Sequence, residues 1–256
     1  MLIPAHRLKV TAAVFATATA LALWLATPWV QYRLGLVALS VLGMFLVDVA
    51  ISPFAGKARW YILHCAANMV VAATAFPDVV TTVLRPTHCF TGPFSLVPAL
   101  VVPSIHLYHL IAFECSVGDW VHHVVFAGII CPLGLFFDPG PIQNMVGFFI
   151  CGLPGGLDYG MLALVKLGLM NSFAEKAWNA RINVWMRSPG LLLAACCCFL
   201  GRFNEHTPPE AKERVPWFVA VVSAVLCVLN GQYYMQVVVG NTFVRTRESG
   251  SKAYNS

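Results

Sequence analysis

Four histidines and two carboxylates crowd into one short stretch of an otherwise apolar chain: His106-Leu-Tyr-His109, then Glu114, then Asp119-Trp-Val-His122-His123. Imidazole changes charge near neutral pH, moves protons and ligates metals, so a cluster of this kind is where chemistry would sit. On a helix His106 and His109 share a face, as do Asp119 and His122, because residues three apart lie one above the other. The first segment closes one apolar run and the second opens the next. A connection this short makes the two runs an antiparallel hairpin and brings the four rings to one depth. Asp119 is then placed to orient His122 or His123 as a general base, or as an acyl acceptor, toward a lipid substrate. The competing reading is structural: Asp119 caps its own helix and the histidines bond neighbouring helices.

Metal chemistry fits the sequence less well. Membrane di-iron oxygenases need several HxxHH-type clusters; no HxxHH string occurs, and His6, His64, His88 and His206 stand isolated. Bis-histidine haem ligation needs rings facing each other at mid-membrane, whereas these lie at helix ends. The nine cysteines show no CxxC or zinc-ligand spacing. Most fall inside apolar runs, Cys196-Cys197-Cys198 among them, and read as small packing residues. No metal and no cofactor is therefore expected. Beyond the histidines, Asp158 follows Pro154-Gly155-Gly156, a break that would split its span into half-helices or kink it. There a carboxylate meets freed amide donors or faces a cavity. Asp48 reads as a packing or cap residue, Lys166 as a snorkelling one, and Asn68, Asn144 and Asn230 as interhelical hydrogen-bonders.

The elements that must hold these groups follow from composition. The 256 residues are 59% apolar and 11% charged, with a mean hydropathy of +0.74. Soluble domains carry about 25% charged residues. Apolar runs of about twenty residues recur along the chain, each long enough to cross a hydrocarbon core of about 30 Å. The runs are solidly apolar rather than alternating, which excludes a porin-type barrel. The formal net charge of +5 is scattered over loops and tails with no basic, aromatic-interleaved stripe, so no nucleic-acid partner is expected. The fold class is an all-α polytopic transmembrane bundle of about seven or eight helices. The expected spans are Val10–Val30, Leu34–Ile51, Arg59–Leu84, Gly92–Phe113, Trp120–Phe137, Ile142–Leu169, Ile182–Leu200 and Trp217–Val239. Lysine and arginine are about twice as frequent on the side holding both termini, which places the termini in the cytosol. The one clearly aqueous connection is Gly201 to Pro216.

With these landmarks on the page, the chain resembles the TLC-domain superfamily, which holds ceramide synthases and translocation-associated membrane proteins. Arg59-Trp60-Tyr61-Ile62-Leu63-His64 is similar to the opening of that domain, and Ile105-His106-Leu107-Tyr108-His109 to its aromatic-rich segment. Trp120-Val121-His122-His123-Val124 is similar to its His-His pair. Glu175-Lys176, Asn179 and Arg187-Ser188-Pro189 match the segment that follows. His109 stands where the family has an Asp, and Val124 to Phe137 lacks the aspartates of the ceramide-synthase signature.

The resemblance implies a TLC-like core over residues 58–240, preceded by two transmembrane helices in 1–57 and followed by a solvated tail in 241–256. It implies catalytic His122 and His123, with Asp119, if the protein is an enzyme. A lipid- or substrate-binding set of His106, His109, Tyr108 and Asp158 completes the expectation. The leading expectation is a protein that binds, senses or moves a lipid or fatty-acyl chain in a bundle cavity whose mouth lies at the histidine hairpin. Its partners would be membrane lipids, with acyl-CoA or a fatty acid as the acyl-bearing ligand. The alternatives are a histidine-dependent acyltransferase and a structural subunit of a homo-oligomer or membrane complex. Endoplasmic reticulum or Golgi follows from the resemblance; an N-terminus free of acids until Asp48 also suits a mitochondrial membrane.

Overall fold

The computed structural model describes residues 28–125, 128 and 130–254, whose regular structure is all helical, with no strand among them. The first expected span, but for its last residues, lies outside the described residues. The elements are α1 (Pro28–Ala55), α2 (Arg59–Leu84), α3 (Val97–Ala112), α4 (Val117–Val125), α5 (Cys131–Phe137), α6 (Pro141–Gly147), α7 (Leu153–Lys166), α8 (Ser172–Ile182), α9 (Ser188–Phe203), α10 (Pro209–Arg214) and α11 (Trp217–Tyr254). Wide π turns, Phe148–Gly152 and Asn183–Arg187, join α6 to α7 and α8 to α9 without a break.

Four helical stretches are long and apolar enough to cross a membrane: Pro28–Leu84, Pro141–Lys166, Ser172–Phe203 and Trp217–Arg247. The first turns at Gly56, whose φ of 47° suits a residue without Cβ, and so comprises α1 and α2. Leu39, Leu42, Phe45 and Leu46 on α1 and Val222, Val225 and Leu229 on α11 point outward. Apolar side chains facing out along whole helices are what lipid, not water, accommodates.

Among the described residues these four stretches alone meet the length and hydropathy of a crossing helix, and the count of seven or eight is not reached there. The expected fourth span shortens to the sixteen residues of α3, about 24 Å at 1.5 Å per residue. Within the expected fifth span the described helices are α4 and α5, of nine and seven residues, and residues 128 and 130 between them are π-helical. Pro98 occupies a first-turn position, where proline starts a helix rather than continuing one.

The Pro154-Gly155-Gly156 segment does not split its span either. The run from Pro141 to Lys166 stays helical, and the irregularity is taken up by the preceding π turn. The glycines serve close packing: a Cβ on Gly155 would lie 2.8 Å from Asn68 Nδ2, and one on Gly156 would lie 2.6 Å from Met69 Sδ. This contact seats the α6–α7 run on α2, with Ala72, Ala75, Met145 and Phe148 in the core between them. The same core takes in Leu191, Ala194, Cys197 and Cys198 of α9 and Cys227 of α11, so these cysteines are packing residues as expected. No disulfide joins any of the nine cysteines.

Charged residues close the ends. Asp138 accepts from Arg33 at 2.9 Å and from Arg214 at 2.5 Å, tying α1, the end of α5 and α10 together. The C-terminal segment continues α11 as helix to Tyr254, with Arg245 and Arg247 exposed.

Candidate functional site

Helix α3 presents two polar faces. Tyr108 points toward α1, where its hydroxyl donates to Asp48 at 2.5 Å. Asp48 is fully buried and also accepts two hydrogen bonds from the Arg59 guanidinium. Tyr108 is thus part of a closed triad, not of the histidine set with which it was grouped. The opposite face carries His106 and His109.

The short hairpin brings the imidazoles together as its spacing implies. His106 Nε2 lies 3.3 Å from His122 Nε2, and His123 Nε2 lies 2.7 Å from His109 Nδ1. The His106 and His122 rings stack with centroids 5.3 Å apart, and His109 and His123 meet edge-on at 4.6 Å. His106 Nδ1 donates to the Val102 carbonyl at 2.7 Å, one turn back on α3. That bond fixes the tautomer and leaves Nε2 with its lone pair toward His122. His109 and His123 are buried, while His106 and His122 are partly exposed.

Asp119 does not orient any of these rings. Its carboxylate accepts from the Ser116 backbone N–H at 2.8 Å and hydroxyl at 2.7 Å, while the Ser116 hydroxyl accepts from the Asp119 N–H at 3.2 Å. This is a reciprocal capping box at the start of α4. Burial alone would raise the Asp119 carboxyl; the two Ser116 hydrogen bonds, with the fields of His109 and His123, outweigh it and hold the group below its usual range. The charge remains close to the histidines as a field, not a contact.

One member of the cluster escapes sequence reading. His64 lies on α2, forty-two positions before His106, and reads there as an isolated residue. In the fold its Nδ1 donates to the Trp60 carbonyl at 3.2 Å, and its ring centroid lies 5.8 Å from that of His109. The Trp60 ring packs on both, 3.5 Å from His109. The signal was local: His64 follows Trp60 by four residues, which puts both on one helix face. On its other side His64 meets Tyr159 at 4.6 Å.

Tyr159 leads away from the imidazoles to a second buried polar group that contains Asp158. Asp158 does not join the histidine set. Its Oδ1 is buried without a hydrogen-bond partner. Across the bundle, Arg187 donates to Asn183 at 3.1 Å, lies over the Tyr234 ring and leaves its Nε unpaired. Glu175, nearly fully buried, pairs with Lys176 at 3.0 Å.

Asp78 is a further residue that pattern reading passed over. It accepts from Asn144 Nδ2 at 2.6 Å and from the Ser95 N–H at 3.1 Å. Asn144 Nδ2 also donates to the Ser95 carbonyl at 2.7 Å, so its role as an interhelical bonder holds.

A cavity of about 230 Å³ opens between α3, α5, the α6–α7 run and α11. Its walls are apolar except for Gln143, Asn144 and Ser223, and no histidine or carboxylate lines it. The cavity and the histidine hairpin are linked through α3: Val102, which lines the cavity, accepts from His106 through its carbonyl one turn back. Two acceptors on the wall residues are unsatisfied. Asn144 Oδ1 and Gln143 Oε1 are both buried and neither has a hydrogen-bond partner. Because Asn144 Nδ2 is committed to Asp78 and Ser95, the orientation of that amide is fixed and Oδ1 is the free acceptor.

The histidines present two trios of potential metal-binding atoms: His106, His122 and His123, and His109, Cys115 and His123. Compared with protein families, curated proteins and solved structures, the chain matches no family model, no curated protein and no solved fold.

Proposed function

We propose that this protein binds a single-chain lipid in the cavity between α3, α5, α6 and α11, as a carrier or sensor within the membrane. The observation that carries the reading is an apolar chamber two of whose lining residues, Asn144 and Gln143, each hold a buried side-chain oxygen without a hydrogen-bond partner. A buried acceptor left unpaired costs about 1–3 kcal/mol. A ligand with a hydroxyl or amine head group removes that cost, while its chain fills the apolar space. Fatty alcohols, monoacylglycerols and long-chain amino alcohols have this chemistry. A free carboxylate, which only accepts, does not complement the two oxygens. The resemblance to TLC-domain proteins supports lipid as the ligand class.

Gentle extraction followed by lipid mass spectrometry tests the reading. The wild type is expected to retain one class of hydroxyl- or amine-bearing lipid. Val102→Trp and Ser223→Trp, which fill the chamber from opposite walls, are expected to lose it while remaining folded. Equal retention in both variants and the wild type would contradict the proposal.

Acyl transfer is the second reading, favoured by one observation: the Val102 carbonyl leaves His106 Nε2 as the basic nitrogen beside His122. It expects His122→Ala and His123→Ala each to abolish turnover of an acyl donor. Unchanged lipid products in both variants would remove it.

A further inference from the structure

We infer that His106, His122 and His123 form a binding site for a divalent transition-metal ion of the zinc class. The inference stands on the imidazole geometry and holds whether or not the cavity takes a lipid. The donor atoms of the three rings lie within 4.8 Å of one another. Two imidazole nitrogens bound at about 2.1 Å to one tetrahedral ion are about 3.4 Å apart. His106 Nε2 and His122 Nε2 are separated by 3.3 Å.

The surroundings carry the features of a metal site rather than of a packing cluster. His106 Nδ1 donates to the Val102 carbonyl at 2.7 Å, the outer bond that ordinarily fixes a ligating ring and aims its other nitrogen. His123 is buried, with only 3% of its surface exposed, and its Nδ1 has no hydrogen-bond partner. Its Nε2 is occupied by His109 at 2.7 Å, a separation too short for two ligands of one ion and right for a hydrogen bond. So His109 orients His123, and Nδ1 is the nitrogen left to ligate. An ion on His106 Nε2, His122 Nε2 and His123 Nδ1 satisfies the one orphaned ring atom of the cluster.

Donor chemistry narrows the ion. Three neutral imidazoles without a carboxylate suit zinc, copper, cobalt or nickel and disfavour magnesium and calcium, which take oxygen ligands. Asp119, the nearest acid, is held by Ser116 in the α4 cap and is not a ligand. Its charge lies close enough to offset part of the ion's. Three protein ligands leave a fourth position, on the side where His106 and His122 are partly exposed.

The second trio, His109, Cys115 and His123, shares His123 with the first and so competes with it. The tri-imidazole set is preferred because the His106–His122 separation fits and because the Nε2 of His123 is already engaged by His109.

Cobalt(II) substitution tests the assignment on full-length protein carried by a tag free of histidine. One Co²⁺ per chain is expected, with the strong visible absorption of a tetrahedral ion and no sulfur-to-metal charge-transfer band. His106→Ala and His122→Ala are each expected to weaken binding by roughly 100-fold or more, beyond the effect of losing an outer partner. His206→Ala and Cys115→Ser are expected to bind as the wild type does. A charge-transfer band that disappears in Cys115→Ser would move the ion to the other trio and overturn the assignment. So would wild-type protein that binds no Co²⁺ after dialysis, a result that needs no variant to fold.

Discussion

Tyr108 and His109 are adjacent in the chain and belong to two different kinds of polar cluster. On the Tyr108 side, Asp48, Arg59 and Tyr108 form a closed set: the buried carboxylate accepts three hydrogen bonds, and its charge is matched by the guanidinium. On the His109 side, five imidazoles gather from three helices and end with a ring nitrogen that has nothing to bond. A saturated network of this kind fixes how α1, α2 and α3 sit together. An unsaturated one of equal burial keeps a standing cost, and a ligand is the physical reason to keep it.

Substitutions that break the closed set are expected to have the largest effect on stability. Arg59→Met leaves the Asp48 anion buried with only Tyr108, and is expected to cost about 3–5 kcal/mol, read as loss of the thermal transition in detergent. Asp48→Asn is expected to cost less, since Arg59 is partly exposed and can turn outward. Next in size is Gly155→Leu, which forces the α6–α7 run off α2 at Asn68. Overpacking of that kind costs about 1–3 kcal/mol and is read in the same melting experiment. Tyr108→Phe removes one of the three bonds to Asp48 and is expected to cost about 1 to 2 kcal/mol.

The open cluster should behave in the opposite way. His106→Ala is expected to shift stability by less than about 1 kcal/mol, because His106 is partly exposed and water can take over the bonds it makes to Val102 and His122. Its effect would appear in metal titration instead. A His106→Ala penalty as large as that of Arg59→Met would show both clusters to be structural and erase the distinction between them.

The sequence made one of these regions legible and concealed the other. The imidazole hairpin can be read because its residues are close in the chain and their helical spacing is fixed. His64 and the Asp48–Tyr108 bond cannot: they join residues forty or more positions apart, and a local pattern carries no information on which helices become neighbours. Helix lengths were hard to read for a related reason. Hydropathy registers an apolar run, but Pro98 begins a helix and Gly56 turns one, so run length overstates the length of α3 and hides the corner between α1 and α2. Pro154-Gly155-Gly156 looks like a break in sequence and is a close contact in the fold, because only the partner helix α2 reveals what the missing side chains make room for. The cavity's polar wall was equally hidden. Asn144 was readable as an interhelical bonder, but its free Oδ1 follows only from Asp78 and Ser95 taking both of its donated bonds.

The most direct test of a ligand-holding interior is photo-crosslinking with a long-chain alcohol bearing a diazirine midway along its chain, followed by peptide mapping. The account predicts labels on α3 near Val102, on α6 near Val146 and on α11 near Ser223, competed away by unlabelled alcohol. Labels confined to the outward-facing leucines of α1, unaffected by the competitor, would contradict it.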